Sequence, residues 1–390
     1  MRKRINQCLG VLTYFMLAAI LISVMKKVSL SFFGKGRFST ASVISFALAY
    51  IFSVLVHELS HFCAFWYLGI KVRMIALFGI VIIFNEKCIK VSIYPRMCLG
   101  GGWVLPRMSF IGSSEDYNKY KKNFCFSLAI APIISLLMMF VLILVNAFIP
   151  MGRMFKEFVF FFSVFAIVLN ITSLFGTDNM WGDYYAFYKY KKDDFSFLYH
   201  VCRNHVIMST SSDLPISTYM AERIKSELVS NVTDIEECFS DERIAYMVDF
   251  AIKRYLIFQE EMGKEIERLV SFYIDISEKI AVKDGPEELK ILFIHLIYYL
   301  KYNHDERWRK LVSLSENLFD DKGISRYYGM QIRQFCFRED HSEFLLDEMN
   351  IKTSSFWEIE HILGAPQLEE RNLYQIFELN SSVILRGLES

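Results

Sequence analysis

The chain has 390 residues, 53% of them hydrophobic, and a mean hydropathy of +0.28. Soluble domains usually sit lower, so a membrane component is expected, with room for one membrane domain and one soluble domain. Lys plus Arg equal Asp plus Glu at 43 each, and zero net charge excludes a nucleic-acid binder that relies on a basic face.

The N-terminus, MRKRINQCLGVLTYFMLAAILISVMKK, has a basic start and an apolar run without a small-x-small cleavage site before Lys26-Lys27. It reads as a retained transmembrane helix, not a cleaved signal. A span needs roughly 20 mostly apolar residues, and four segments qualify: about 8–25, about 41–68, about 124–149 and about 158–176. The loop between the second and third spans holds Lys71, Arg73, Lys87, Lys90, Arg96, Arg107, Lys119, Lys121 and Lys122. Excess Lys and Arg mark cytoplasmic loops, so this loop and both termini are expected in the cytoplasm; Lys26, Lys27, Lys35 and Arg37 after the first span pull the other way.

Within that loop, KVRMIALFGIVIIF and CIKVSIYP are rich in β-branched and aromatic residues and predict short strands. Gly100-Gly101-Gly102 follows, between Pro95 and Pro106, where backbone can bend or approach another chain closely. After residue 195 no segment is apolar enough to span. Stretches such as DERIAYMVDFAIKRYLIF and EELKILFIHLIYYLKY repeat apolar residues at helical spacing, which predicts a packed all-helical tail. Paired helices of similar length hint at a solenoid without a fixed period. The expected fold is therefore an all-α polytopic membrane domain over 1–195, with about four transmembrane helices and a small β-containing cytoplasmic loop, plus an all-α soluble domain over 196–390. Eight cysteines (Cys8, Cys63, Cys88, Cys98, Cys125, Cys202, Cys238 and Cys336) form no Cys-x-x-Cys pair and read as reduced thiols.

The second span ends in VHELSHFCAFWYLGIKV. His57, Glu58 and His61 make a His-Glu-x-x-His pattern on a predicted helix. Residues four apart share a face, so both imidazoles can reach one zinc ion. Glu58 can then take the proton of a water activated there. Ionisable groups inside an apolar run are costly unless paired or metal-bound, which favours a site over helix packing. A catalytic zinc usually has three protein ligands. His57 lies about 22 Å along its span, towards the cytoplasmic end, and the fourth span runs the same way. It ends in VLNITSLFGTDNMWGDYYAFYKYKK, delivering Asn170, Asp178 and Asp183 to that side. The remaining histidines of the tail, His200, His205, His295, His304, His341 and His361, lack ligand spacing and receive no role.

HELSHFCAFWYLGIKV resembles the first core helix of the site-2 protease family of intramembrane zinc metalloproteases, in which the motif helix exits into short strands. The resemblance covers about residues 41–195. The family's second motif runs Asn-x-x-Pro and, a few residues on, Asp-Gly. It implies Asn170 near the active site in contact with substrate, and an aspartate as third zinc ligand. Asp178 has the commoner spacing from Asn170. Asp183 precedes a helix-like run and is slightly favoured; both are kept. Ser60 stands for the usual Gly, Ser173 for Pro, and the Gly after the ligand Asp is missing. Ala131-Pro132 corresponds to the family's Ala-Gly-Pro without its Gly. The resemblance implies a zinc metalloendopeptidase cleaving a peptide or membrane-protein substrate within or beside the bilayer, with Glu58 as catalytic base. The alternative is a non-proteolytic zinc-binding membrane protein, such as a regulatory, immunity or scaffold component. In either case the helical tail is expected to bind a protein partner, and the abundance of Lys, Ile, Phe, Tyr and Asn fits a bacterial cell membrane.

Overall fold

A computed structural model of the chain describes residues 40–84, 89–94, 101–107, 111–176, 182–208, 218–232, 241–277, 287–315, 323–345, 373, 376 and 377. The first expected span, about 8–25, lies outside these residues. The other three appear as helices α1 (Thr40–Tyr67), α2 (Ser114–Phe148) and α3 (Arg153–Ser173), each long and apolar enough to cross a membrane. Helices suit that setting because every interior backbone group is paired within the segment. The three pack against one another around Ala49, Met139, Phe161, Phe162 and Ala166. Small side chains let the backbones approach, as at Ala49, Ser53 and Ala166, and the Ser45 hydroxyl donates to the Met154 carbonyl between α1 and α3. Leu137, Phe140, Val141 and Leu144 remain exposed on α2, where lipid would cover them.

Helix α1 stops at a left-handed glycine. Gly69 has φ +74, and the Ile70 N–H reaches back to the Phe65 carbonyl at 2.8 Å, a Schellman closure that turns the chain sharply. Four strands follow: β1 (Val72–Leu77), β2 (Ile80–Phe84), β3 (Ile89–Ile93) and β4 (Gly102–Pro106). They form one antiparallel sheet in the order β3-β2-β1-β4. Phe78 and Gly79 both have positive φ, the demand of a tight hairpin turn between β1 and β2. The predicted strands are all present, and the glycine-rich stretch contributes one more: Gly102 opens β4, at the sheet edge beside β1.

Helix α2 begins at an N-cap serine: Ser113 Oγ accepts from the Asp116 N–H, and the Asp116 carboxylate accepts from the Gly112 N–H. Its first, charged turns lie beyond the apolar stretch and meet α4 (Asp183–Lys192) and α5 (Asp194–Met208). The tail continues as α6 (Thr218–Asn231), α7 (Glu242–Phe258), α8 (Lys264–Ser277), α9 (Glu287–Tyr302), α10 (Arg307–Ser315), α11 (Gly323–Phe337) and α12 (Ser342–Leu345). Each hides one stripe; α8 buries Ile266, Leu269, Val270, Tyr273, Ile274 and Ser277, the spacing of a single helical face. One buried cluster runs without a break from Phe65, Tyr117 and Phe124 through Tyr190 and Phe197 to Val248, Leu292 and Phe335. The expected boundary at 195/196 falls inside α5, in the middle of that cluster.

Candidate metal centre

Helix α1 presents His57 and His61 one turn apart, with ring centroids 5.1 Å apart and planes nearly perpendicular. Both are buried. Asp183, the first residue of α4, stands between them. Its Oδ2 lies 3.0 Å from His57 Nε2 and its Oδ1 3.4 Å from His61 Nε2. One ligand atom from each of the three residues lies within 4.8 Å of the others. Asp178, the competing aspartate, lies outside the described residues.

The far side of each ring settles its tautomer. His61 Nδ1 is 2.9 Å from the Ser127 carbonyl oxygen on α2, which can only accept, so Nδ1 carries the proton. Ser135 Oγ donates to the Ala131 carbonyl at 3.0 Å. Its contact with His57 Nδ1, at 3.4 Å, is therefore one in which the ring donates. In the neutral rings each Nε2 is then an unprotonated acceptor that faces the Asp183 carboxylate. Two lone pairs and an anion converging inside an apolar bundle repel one another unless a proton or a metal ion joins them. The donor set thus fits a divalent metal, with the outer nitrogens fixed as metal-ligating histidines usually are.

Two glycines that were not singled out for this role bring the parts together. A Cβ on Gly182 would come within 2.5–2.6 Å of the Ser173 backbone, so only glycine lets the start of α4 press against the end of α3. The Gly182 N–H bonds the Phe175 carbonyl at 2.9 Å, closing the loop that leads to Asp183. The expected glycine after the aspartate is absent, and a glycine before it makes the close approach. The second is Gly102 on β4: a Cβ there would meet Glu58 Cγ at 2.4 Å and Cδ at 2.9 Å. The half-buried Glu58 side chain therefore rests directly on the backbone of the edge strand.

Asn170 is buried near the end of α3, and its Nδ2 donates to the Ala166 carbonyl at 2.8 Å and the Pro132 carbonyl at 3.2 Å. Its Oδ1 is buried and has no hydrogen-bond partner among the described residues. Pro132 has no N–H for the Leu128 carbonyl, so α2 is least tightly bonded on the turns that serve His61 and Asn170. Ser127, Ala131 and Ser135 recur every four residues on α2, one stripe facing the site. Small polar residues at helical spacing inside an apolar span are the sequence signal for the two serines that flank Ala131-Pro132, beyond the Ala-Pro pair itself.

Compared with known proteins, the chain matches a family model described as peptidase family M50 over residues 45–319, about 70% of its length. The match begins in α1, takes in α2, α3 and Asp183, and continues past α10, well beyond residue 195 where the resemblance in the motifs ends. Neither the curated proteins nor the solved structures compared with the chain gave a match.

Proposed function

The chain belongs to peptidase family M50, the site-2 protease family, and from that membership we propose that it is a zinc-dependent intramembrane protease with its site at the cytoplasmic end of α1. The observation that carries the reading is the convergence of His57, His61 and Asp183 with both Nε2 lone pairs turned inward. Two imidazoles and one carboxylate are the ligand chemistry of catalytic zinc sites that keep a position open. When bound, zinc supplies a Lewis acid that acidifies water and polarises a carbonyl.

The chain's own residues do the rest. Glu58 accepts the proton of the attacking water and returns it to the leaving amine. Ser127 and Ser135 hold the two imidazoles in the tautomer that keeps Nε2 unprotonated. Asn170, with both Nδ2 protons committed to main-chain carbonyls, offers Oδ1 to a substrate N–H. A substrate helix shields its own peptide groups and must open before cleavage. Strand β4 lies at the edge of the sheet and touches Glu58 through Gly102, so an opened substrate adding to that edge would lie extended beside the base. Lys119, Lys121 and Lys122 on α2 and Lys189, Lys191 and Lys192 on α4 support a cytoplasmic placement for this end and for the tail.

The test is zinc per chain and cleavage in purified protein. Wild type is expected to hold about one zinc, lost in His57→Ala and Asp183→Ala. Glu58→Gln keeps the zinc and loses about 10³-fold in cleavage rate. Unchanged cleavage in Glu58→Gln would remove Glu58 as the base, and a folded wild type that never takes up zinc would end the protease reading.

A further inference from the structure

The third ligand comes from a short helix whose other end is gripped by the tail. Asp183 opens α4; roughly 15 Å along the same axis, Asp193 and Asp194 close it and start α5. Asp194 accepts from Tyr117 OH at 2.9 Å and from Lys121 Nζ at 2.7 Å, both on α2, and from the Arg223 guanidinium on α6. Arg223 also lies over the Tyr117 ring, 4.2 Å from its centroid. Asp193 pairs with Lys189 within α4 and with Arg243 of α7 at 3.3 Å, and Arg243 donates to Ser196 at 3.0 Å. Burial opposes the Asp194 charge, yet Lys121, Arg223 and Tyr117 together hold its carboxyl below the usual range. Between the two ends, Ala186 and Tyr190 are buried, and Tyr190 packs on Phe124 of α2 and shares a 2.8 Å hydrogen bond with His200 of α5.

We propose that Arg223 and Arg243 are positioning residues of the metal centre, through which helices α6 and α7 of the tail set where α4 places Asp183. The inference rests on the metal reading above. A ten-residue helix moves as a rigid rod, so a tilt at its charged end displaces the carboxylate at its other end. At the Asp183 end, Gly182 lies against Ser173 and Tyr185 against Gly176, which gives the rod a pivot on the end of α3. His57 and His61 sit on α1, which neither arginine touches in any contact described above. The arginines therefore act on one ligand of three. This gives the tail a way to govern the site from outside the membrane: whatever draws α6 and α7 off α4 loosens the third ligand without entering the active site.

The test uses the full chain in detergent or nanodiscs, with cobalt and zinc alone as probes. Cobalt affinity comes from competition with a chromophoric chelator, and its visible absorption reports ligand geometry. The double variant Arg223→Ala, Arg243→Ala is expected to bind cobalt about tenfold more weakly, the size seen when residues supporting a ligand are removed, with altered visible bands. Arg223→Lys with Arg243→Lys should recover most of the affinity. Arg309→Ala, a tail residue paired only with its own helix turn in the contacts described, should match wild type. Should the double variant fail to fold, Arg223→Gln alone decides in the same way. Wild-type affinity and spectrum in the variants, alongside a wild type that binds the metal, would overturn the positioning role and leave the metal centre standing. A wild type that takes up neither ion would remove the centre itself and this inference with it.

Discussion

The membrane half and the tail both bury polar side chains, and they treat them in opposite ways. In the tail the groups close on one another. Asp249 on α7 meets His295 of α9 and Lys253 one turn on, and Tyr298 OH donates to Gln331 of α11 at 2.9 Å. Donor faces acceptor at each contact, so these networks need nothing further. Between α1, α2 and α4 the neutral imidazoles spend their donors on the outside, on Ser127 and Ser135, and face the inside with acceptors only. Burial of polar groups is common to both regions. What separates a site from a structural network is convergence of ligating groups, which a bound ion reconciles.

The largest effect expected from this contrast lies in the tail and should leave the metal untouched. Asp249→Ala removes the buried carboxylate that His295 and Lys253 both meet. Breaking a buried pair from one side costs about 3–5 kcal/mol, a large share of a domain's stability. Thermal unfolding should show the loss, while zinc per folded chain stays at the wild-type value. Loss of zinc at temperatures where α7 and α9 are still folded would mean that the two kinds of network are coupled more tightly than their contacts imply.

Next comes Gly182→Ala. It adds one methyl group and no charge, but that methyl would meet the Ser173 backbone at 2.5 Å, so α4 must move. Zinc affinity is expected to fall about a hundredfold, the upper range for changes outside the ligands themselves. Far-ultraviolet circular dichroism should be unchanged. An affinity within twofold of wild type would show that α4 can shift without carrying Asp183 off the two imidazoles.

Much of this was legible in the chain, for reasons that differ by element. His57, Glu58 and His61 are close in sequence on one helix, and helical spacing alone puts the imidazoles together. The strands β1 to β3 announced themselves by β-branched residues. Asp183, the proposed third ligand, is 122 residues beyond His61, and spacing from Asn170 points to Asp178 instead. Steric closure at Gly182 places Asp183 beside the histidines, and no pattern within one segment encodes that. Gly102 against Glu58 is equally a fact of tertiary approach, and so is the continuity of α4 with the tail, which a boundary drawn from hydropathy at residue 195 divides.

The smallest effect is the most discriminating. Ser135→Ala removes the hydroxyl that receives the His57 Nδ1 proton across 3.4 Å, a long contact, so zinc affinity should fall about tenfold, the low end for such partners. Ser163 on α3 provides the comparison. Its hydroxyl donates to the carbonyl four residues back, Val159, at 2.7 Å, as Ser135 does to Ala131. Both alanine variants lose the same kind of back-bond, which contributes little to helix stability. Any difference between them in zinc affinity therefore measures the contact with the imidazole alone. Equal affinities would mean that the His57 ring is held by its metal and its neighbours, with the serine a bystander. A tenfold gap would show that α2 tunes a ligand it does not carry.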